Sequence, residues 1–561
     1  MHDAVDVTAQ ARQWLADDPD PQTRAELTAL LEAGDTAALA ERFSGPLRFG
    51  TAGLRGELGA GPARMNRAVV IRAAAGLAAH LRRGAAPGQA PGTVVIGYDA
   101  RHRSADFARD TAAVMTGAGL RAVLLPRPLP TPVLAFAIRH LGAVAGVMVT
   151  ASHNPPRDNG YKVYLQDGSQ IAAPADTEIA AEIAAAGPVA GIPRPAQGWE
   201  TAGDDVLDAY LARAVGVLAE GSPRTTRVVY TPLHGVGGPV LTAAFERAGF
   251  PSPVLVAEQA RPDPDFPTVA FPNPEEPGAM DLAFATARET GPDLVIANDP
   301  DADRCAVAVP APETPEGWRM LHGDEVGALL AARLVARKAR GAFATTIVSS
   351  SLVGRIAAAG GLPYTETLTG FKWLARVPGL RYAYEEALGY CVDPGGVRDK
   401  DGITAALLIA ELAAVLRREG RTLTGLLDEL AAEHGLHATA QLSVRVKDLS
   451  LISDAMHRLR QAPPRELAGL PVTRIEDLAA GAGGLPPTEG LRCALAGSGP
   501  VASARVVVRP SGTEPKLKCY LEVVVPVEGS RERAAAVAAA RATADTVLAR
   551  LRADVAAAAG I

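Results

Sequence analysis

The chain has 561 residues with 56 basic against 62 acidic side chains, a formal net charge of −6. This length predicts three or four compact units rather than one core, and the charge excludes the strong positive field that non-specific nucleic-acid binding requires. Hydrophobic residues at 48% against 21% charged exclude a disordered chain, while 4% aromatic content makes the cores lean on Ala, Val and Leu.

In chain order, residues 1–42 predict two short amphipathic helices broken at Asp18-Pro19-Asp20-Pro21, an N-terminal helical cap on the main body. A first domain, 43–200, holds an apolar strand at 94–98, a helix near 104–118, a strand at 121–125, a helix at 132–140 and a strand at 143–149, then breaks into the polar segment 150–159. The Ala/Gly/Pro-rich stretch 184–199 reads as a linker. A second domain, 201–315, has a strand at 227–230, a Gly-rich turn, a helix, and a strand at 294–297 with a polar tail. After the Pro-rich joint 310–315 comes a third, 316–437, with a helix at 323–339, strands at 345–349 and 381–384 and a helix at 402–417. The last, 438–561, holds strands at 439–446, 504–508 and 517–525 and an Ala/Arg-rich terminal helix. Alternating strands and helices imply βαβ units and largely parallel sheets. In each unit the most polar segment follows the end of a strand, where open α/β sheets bind ligands, so four such loops are expected to converge on one cleft.

Four cysteines lie far apart, with no CxxC pair for zinc or redox chemistry, and a reduced cytoplasm is expected. The acidic start Met1-His2-Asp3 and the lack of a long uncharged apolar run predict neither a signal peptide nor a membrane span. Only seven of the basic residues are Lys, leaving 49 Arg. A Lys changes pKa readily when buried, so in an Arg-dominated chain the few lysines are candidates for proton transfer or phosphate contact.

Asn298-Asp299-Pro300-Asp301-Ala302-Asp303-Arg304 places three carboxylates at alternate positions after an apolar strand. In an extended loop these would share one side and present three hard oxygen ligands to Mg²⁺. An EF-hand is excluded because Arg304 and Pro310 stand where Gly and Glu are needed. Thr150-Ala151-Ser152-His153-Asn154-Pro155-Pro156 offers Ser152 as a nucleophile or phosphoryl carrier. There is no GxSxG, and the side chains of Ser152 and His153, being adjacent, are expected to diverge. Arg509-Pro510-Ser511-Gly512-Thr513-Glu514-Pro515-Lys516 concentrates a guanidinium fork, hydroxyls, a Gly-freed backbone and a point charge suited to a phosphate dianion. Tyr384-Glu385-Glu386-Ala387 could accept hydrogen bonds from sugar hydroxyls, or be a solvated edge. Thr369-Gly370-Phe371-Lys372 and Arg398-Asp399-Lys400-Asp401-Gly402 read on their own as a turn and a charged helix start.

Together and in this order, these loops resemble the α-D-phosphohexomutase superfamily of phosphoglucomutases and phosphomannomutases over about residues 45–525. The likeness is greatest to the longer phosphoglucomutase/phosphopentomutase branch. The resemblance implies four domains around a central cleft: three related α/β domains with mixed, largely parallel sheets and a smaller α+β C-terminal domain. It implies a mutase that interconverts hexose 1-phosphate and hexose 6-phosphate, glucose first, through phosphoserine and a sugar 1,6-bisphosphate. Mannose and pentose mutases and a sugar-bisphosphate synthase are the alternatives. Ser152 matches the phosphorylated serine, which with Asp299, Asp301 and Asp303 forms the Mg²⁺ site. Lys162 and Lys400 match the acid or base, and Arg55 an active-site arginine. His153, Arg304, Thr369, Gly370, Lys372 and Glu385 match substrate contacts, and Arg509, Ser511, Gly512, Thr513 and Lys516 the grip on the non-reacting phosphate. His234 belongs to a motif read as structural support. Ala387 departs from the Ser usual two residues after the sugar-binding Glu, which removes a hydroxyl contact and admits pentose phosphates. Small sugar phosphates are the expected partners, with no nucleic acid or membrane, for a monomer or homodimer.

Overall fold

The computed structural model describes residues 6–50, 53–84, 92–446, 448, 450–511, 516–527 and 532–561. The chain divides into two compact bodies, one of 1–320 with 393–410, the other of 321–392 with 411–561.

The first body opens with three helices, Val7–Asp17, Pro21–Ala33 and Thr36–Arg42, each started by an aspartate (Asp6, Asp20, Asp35) whose side chain accepts from backbone N–H groups of the first turn. Two helices were expected. Gly34 adopts a left-handed conformation, φ 63°, and ends the second, after which Asp35 caps a third. A six-stranded sheet follows in the order Leu54–Glu57, Asp158–Leu165, Ala145–Val149, Thr93–Tyr98, Arg121–Leu124, Glu200–Thr201. The last four strands are parallel, and the first two run antiparallel to their neighbours. Val94, Ile96, Val147 and Val149 bury into one core with Leu77 of helix Arg67–Arg83 and Phe107 and Met115 of helix Ser104–Gly117. Burial on both faces is why the central strands are uninterrupted apolar runs. A second sheet has the order Trp318–Met320, Ala306–Pro310, Leu294–Ala297, Val228–Thr231, Val254–Leu255, the last three parallel.

In the second body a four-stranded sheet, Tyr364–Thr367, Ala342–Thr346, Leu380–Glu385, Gly389–Cys391, is parallel except for its last pair. The strand expected at 345–349 lies at Ala342–Thr346, because a turn closed by Ser349 N donating to Thr346 O (3.1 Å) follows at once. The helix expected to 339 ends at Ala336. Six antiparallel strands form the last sheet, ordered Leu436–Arg445, Lys516–Val525, Val501–Pro510, Leu491–Ser498, Leu470–Asp477, Glu466–Leu467. Helix Arg533–Ala559 covers it with Val537, Ala544, Leu548, Leu551 and Val555, spaced by three, four or seven and packed in one cluster with Leu517 and Leu521.

Candidate active site

Ser152 sits just past the buried strand Ala145–Val149 and is itself buried, with φ 53°. Left-handed backbone costs a non-glycine residue roughly 1–2 kcal/mol, so the surroundings must hold it. Ser152 N donates to Thr150 Oγ1 (2.9 Å), and Thr150 Oγ1 donates to Asp99 Oδ2 (2.6 Å). Asp99 in turn accepts from Arg101 N and Ser104 Oγ. The serine Oγ donates to Asp299 Oδ2 at 2.6 Å. His153 Nδ1 lies 3.3 Å from the same Oγ, so the expected divergence of these adjacent side chains does not occur. The positive φ folds the chain sharply at Ser152 and turns the imidazole back toward the hydroxyl.

Asp299, Asp301 and Asp303 are completely buried, with one carboxylate oxygen of each within 4.8 Å of the others. They are grouped by a tight turn and not by an extended loop. Ala302 takes a left-handed conformation, φ 53°, and its N–H donates to Asp299 O at 2.8 Å. Thr131, opening helix Thr131–His140, fixes Asp301 twice, through N to its carbonyl (2.9 Å) and through Oγ1 to Oδ2 (2.6 Å). Lys162, on the strand Asp158–Leu165, donates to Asp301 Oδ2 (2.7 Å) and Asp303 Oδ2 (2.8 Å). Lys400 Nζ lies 3.5 Å from Asp303 Oδ2 and the same distance from Asp399 Oδ1. Gly402 permits that approach, since a Cβ there would stand 2.3 Å from Arg304 O and 2.6 Å from Asn298 Nδ2. Arg304 N donates to Asp299 Oδ1, and its Nε lies 3.9 Å from both Asp299 Oδ2 and Asp303 Oδ1. Arg55, on strand Leu54–Glu57, donates to Asn154 Oδ1 at 3.2 Å, and the charges of Asp301, Asp303 and Asp299 act on it.

Burial and the neighbouring Asp301 and Asp303 push Asp299 well above the ordinary carboxylate range. Burial acts the same way on Asp301 and Asp303, but the Lys162 ammonium outweighs it and holds both below that range, with Lys400 adding to the effect on Asp303. Lys162 is buried against its own charge yet keeps its proton above the ordinary lysine range because these two carboxylates face it. Asp301 Oδ1 and Asp303 Oδ1 are buried without a hydrogen-bond partner among the described residues. Two orphaned carboxylate oxygens, beside the Asp299 carboxylate that accepts from Ser152, are the donor set of a hard cation. The three aspartates therefore fit a divalent metal.

The second body holds the remaining candidate site residues, Thr369, Gly370, Lys372, Glu385, Arg509, Ser511 and Lys516. Glu385 ends the strand Leu380–Glu385 and pairs with Gly389 across a turn in which Leu388 has φ 63°. Glu386 Oε2 accepts from Ser349 Oγ (3.1 Å) and Thr346 Oγ1 (3.3 Å). Burial and Asp324 raise the Glu386 pKa, with Lys518 opposing. Burial and the charges of Glu386 and Glu385 raise the Tyr520 pKa, against the charge and hydrogen bond of Arg509. Glu385, Glu386, Arg509, Lys518 and Tyr520 thus belong to one electrostatic cluster. Leu368 and Trp373 pack in an apolar group with Tyr520, which brings the loop of Thr369, Gly370 and Lys372 alongside. Gly370, φ 104°, opens helix Phe371–Leu374, and Lys372 Nζ stands 5.9 Å from the centre of the Trp373 ring. Ser511 N donates to Lys516 O at 2.8 Å, closing the loop between two strands, while Gly512 and Thr513 lie outside the described residues.

Sequence reasoning missed Asp99, Arg101 and Thr131, which secure the serine and aspartate loops, and Lys518 and Tyr520. The scarcity of lysine was the only signal that pointed to any of these, at Lys518. His234, with φ 58°, donates from its backbone to Gln259 O and meets Thr268 Oγ1 at 2.8 Å, tying two loops together.

Segments 46–189, 208–312 and 322–434 match the phosphoglucomutase/phosphomannomutase α/β/α domains I, II and III, and 499–544 matches the C-terminal domain of the same family. The probable phosphomannomutase of Haemophilus influenzae is 47% identical over 465 residues, 82% of this chain and 93% of that protein. Human phosphopentomutase is 34% identical over 571 aligned positions, 92% of this chain and 91% of that protein. The crystal structure of a candidate phosphomannomutase from Thermus thermophilus covers 89% of this chain and 99% of its own, with a TM-score of 0.67 at 27% identity. With all four domains matched in order and relatives of this identity along nearly their whole length, the chain belongs to the phosphoglucomutase/phosphomannomutase family of phosphosugar mutases.

Proposed function

We propose that the enzyme interconverts hexose 1-phosphate and hexose 6-phosphate, α-D-glucose being the principal sugar, with Ser152 carrying the phosphoryl group. One observation carries this reading: a buried serine hydroxyl 2.6 Å from a carboxylate of a buried aspartate trio. Phosphoryl transfer needs positioning and charge neutralisation above all. The phosphoserine O–P bond breaks as an O–P bond forms to the sugar hydroxyl, and the proton lost by that hydroxyl returns to Ser152 Oγ. In the second half the sugar bisphosphate is presented the other way round: the O–P bond to the sugar's other phosphoryl group breaks as that group bonds to Ser152 Oγ, and the serine proton passes to the freed sugar oxygen.

Asp299, Asp301 and Asp303, with the phosphorylated Ser152, are the residues to hold Mg²⁺, which when bound supplies neutralisation of the transferring charge. Lys162 and Lys400, both in reach of Asp303, manage the moving proton. Arg55, His153 and Arg304 border the serine and aspartates and orient the reacting phosphate. Glu385, Thr369, Gly370 and Lys372 address the sugar, and Arg509, Ser511, Gly512, Thr513 and Lys516 the phosphate that does not react.

A pentose reading is favoured by Ala387, which offers no hydroxyl to a hexose, and by the identity to a phosphopentomutase. Glucose, mannose and ribose 1-phosphates, each with a catalytic amount of the corresponding bisphosphate, separate the cases. Glucose 6-phosphate formed with the highest kcat/KM supports the proposal. Turnover confined to ribose makes the enzyme a phosphopentomutase, and net accumulation of bisphosphate from an added phosphoryl donor makes it a synthase.

A further inference from the structure

We infer that Arg101 is the positioning residue that holds the Ser152 loop in its reactive conformation. The inference rests on Ser152 being the phosphoryl carrier. Arg101 follows the strand Thr93–Tyr98 and is 4% exposed. Its Nη2 donates to the carbonyls of Ser152 (2.7 Å) and Asn154, and its Nη1 to those of Pro155 (2.7 Å) and Asp158 (3.1 Å). One guanidinium therefore satisfies four carbonyls of a single seven-residue loop and fixes the peptide that leads out of the left-handed Ser152.

Two contacts hold the guanidinium itself. Its carbon lies 4.9 Å from the centre of the Phe266 ring, and its Nε stands 3.5 Å from Asp99 Oδ2, the oxygen to which Thr150 donates. Asp99 thus reaches the serine loop from both ends, through Thr150 to Ser152 N and through Arg101 to Ser152 O. The fork grips the loop by its backbone, so the effect of Arg101 on the reaction runs through the placement of Ser152. A lysine can keep the charge there, but it lacks the planar fork that meets four acceptors at once.

The test compares Arg101→Lys with the parent enzyme. Near-UV circular dichroism should match, since charge and bulk are kept. The expected result is a fall in kcat of about a hundredfold, the effect of misplacing a reacting atom by about 1 Å, with KM for the sugar phosphate within about threefold because no substrate-binding side chain has changed. The rate at which Ser152 acquires phosphate from glucose 1,6-bisphosphate, followed by intact mass, should fall by the same factor. A matching fold with kcat within about threefold of the parent, or a change in KM alone, overturns the inference. If Arg101→Lys does not fold, Phe266→Leu carries the test by loosening the guanidinium from one face. A fall in kcat of at least about threefold at unchanged KM supports the inference, and an unchanged kcat overturns it. Failure of the underlying reading is separate: it would appear as Ser152→Ala retaining activity, whatever the Arg101 variants do.

Discussion

Ser152 Oγ and Asp299 Oδ2 lie 2.6 Å apart although 147 positions separate them in the chain. The pairing joins the loop after one sheet to the loop after another, and it is fixed from both sides. Thr150 and Arg101 secure the serine, while Thr131 and Lys162 secure the aspartate turn. A hydroxyl placed in this way is already beside the carboxylates that would hold the cation to neutralise its phosphate, so little reorganisation is needed at the moment of transfer.

Asp301→Asn should lower kcat by about a thousandfold, the scale expected when the enzyme loses its hold on the cation that stabilises the transferring charge. The variant should also lose its Mg²⁺ response, with Mn²⁺ affinity measured by calorimetry falling in parallel. Parent enzyme stripped with EDTA should be inactive until Mg²⁺ is restored. Full activity without added metal would refute the metal assignment.

Lys162→Met takes the nearer ammonium from Asp301 Oδ2 and Asp303 Oδ2, leaving Asp303 with Lys400 at 3.5 Å, and removing one partner of a buried ion pair costs about 3–5 kcal/mol. Urea unfolding should show that loss in metal-free buffer and a smaller one at saturating Mg²⁺, which supplies replacement charge. Adding Asp303→Asn should recover part of the stability without recovering turnover. Equal destabilisation with and without Mg²⁺ would mean that lysine and metal do not share these carboxylates.

Glu522 accepts from Ser350 Oγ, Ser351 N and Arg505 Nη2 at 2.7–2.9 Å. Burial raises its pKa, but Arg505 and the hydrogen bond with His437 outweigh this and bring it down to about 2, below the ordinary 4.5. A depressed carboxylate stabilises the fold above its unfolded pKa, and that contribution disappears as pH falls through the folded value. About 3 kcal/mol should therefore be lost between roughly pH 5 and pH 2. Glu522→Gln should unfold in less urea than the parent at pH 6, and the difference should shrink by pH 3. A constant difference across that window would contradict the assignment.

Ala387→Ser should shift preference toward hexose. One hydroxyl contact is worth about 0.5–1.5 kcal/mol, so the ratio of kcat/KM for glucose 1-phosphate over ribose 1-phosphate should rise about three- to tenfold. An unchanged ratio would remove this position from sugar selection.

Much of the first body's candidate site could be read from residue order because its pattern is local. Asp299, Asp301 and Asp303 stand at alternate positions, and Ser152 follows an uninterrupted apolar strand. The geometry that groups the aspartates was less legible, since a left-handed Ala302 has no composition signal of its own. The strand Asp158–Leu165 escaped detection because its polar start continues the preceding loop, although its register sets Lys162 opposite Met148. Arg101 and Thr131 were invisible for a different reason. They act on partners 51 to 170 positions away, and nothing beside them in the chain marks a buried arginine that binds carbonyls. The second body's Tyr520 was hidden in the same way, because its neighbours Glu386 and Arg509 reach it only through the antiparallel sheet and the loop packed on it.

Phosphate on Ser152 is the most direct measure of the account. Purified enzyme mixed with glucose 1,6-bisphosphate should gain one phosphoryl group by intact mass, mapped by peptide fragmentation to Ser152, and should give it up when glucose 6-phosphate is added. Turnover at the parent rate with no phosphate at Ser152, or with phosphate on another residue, would contradict it.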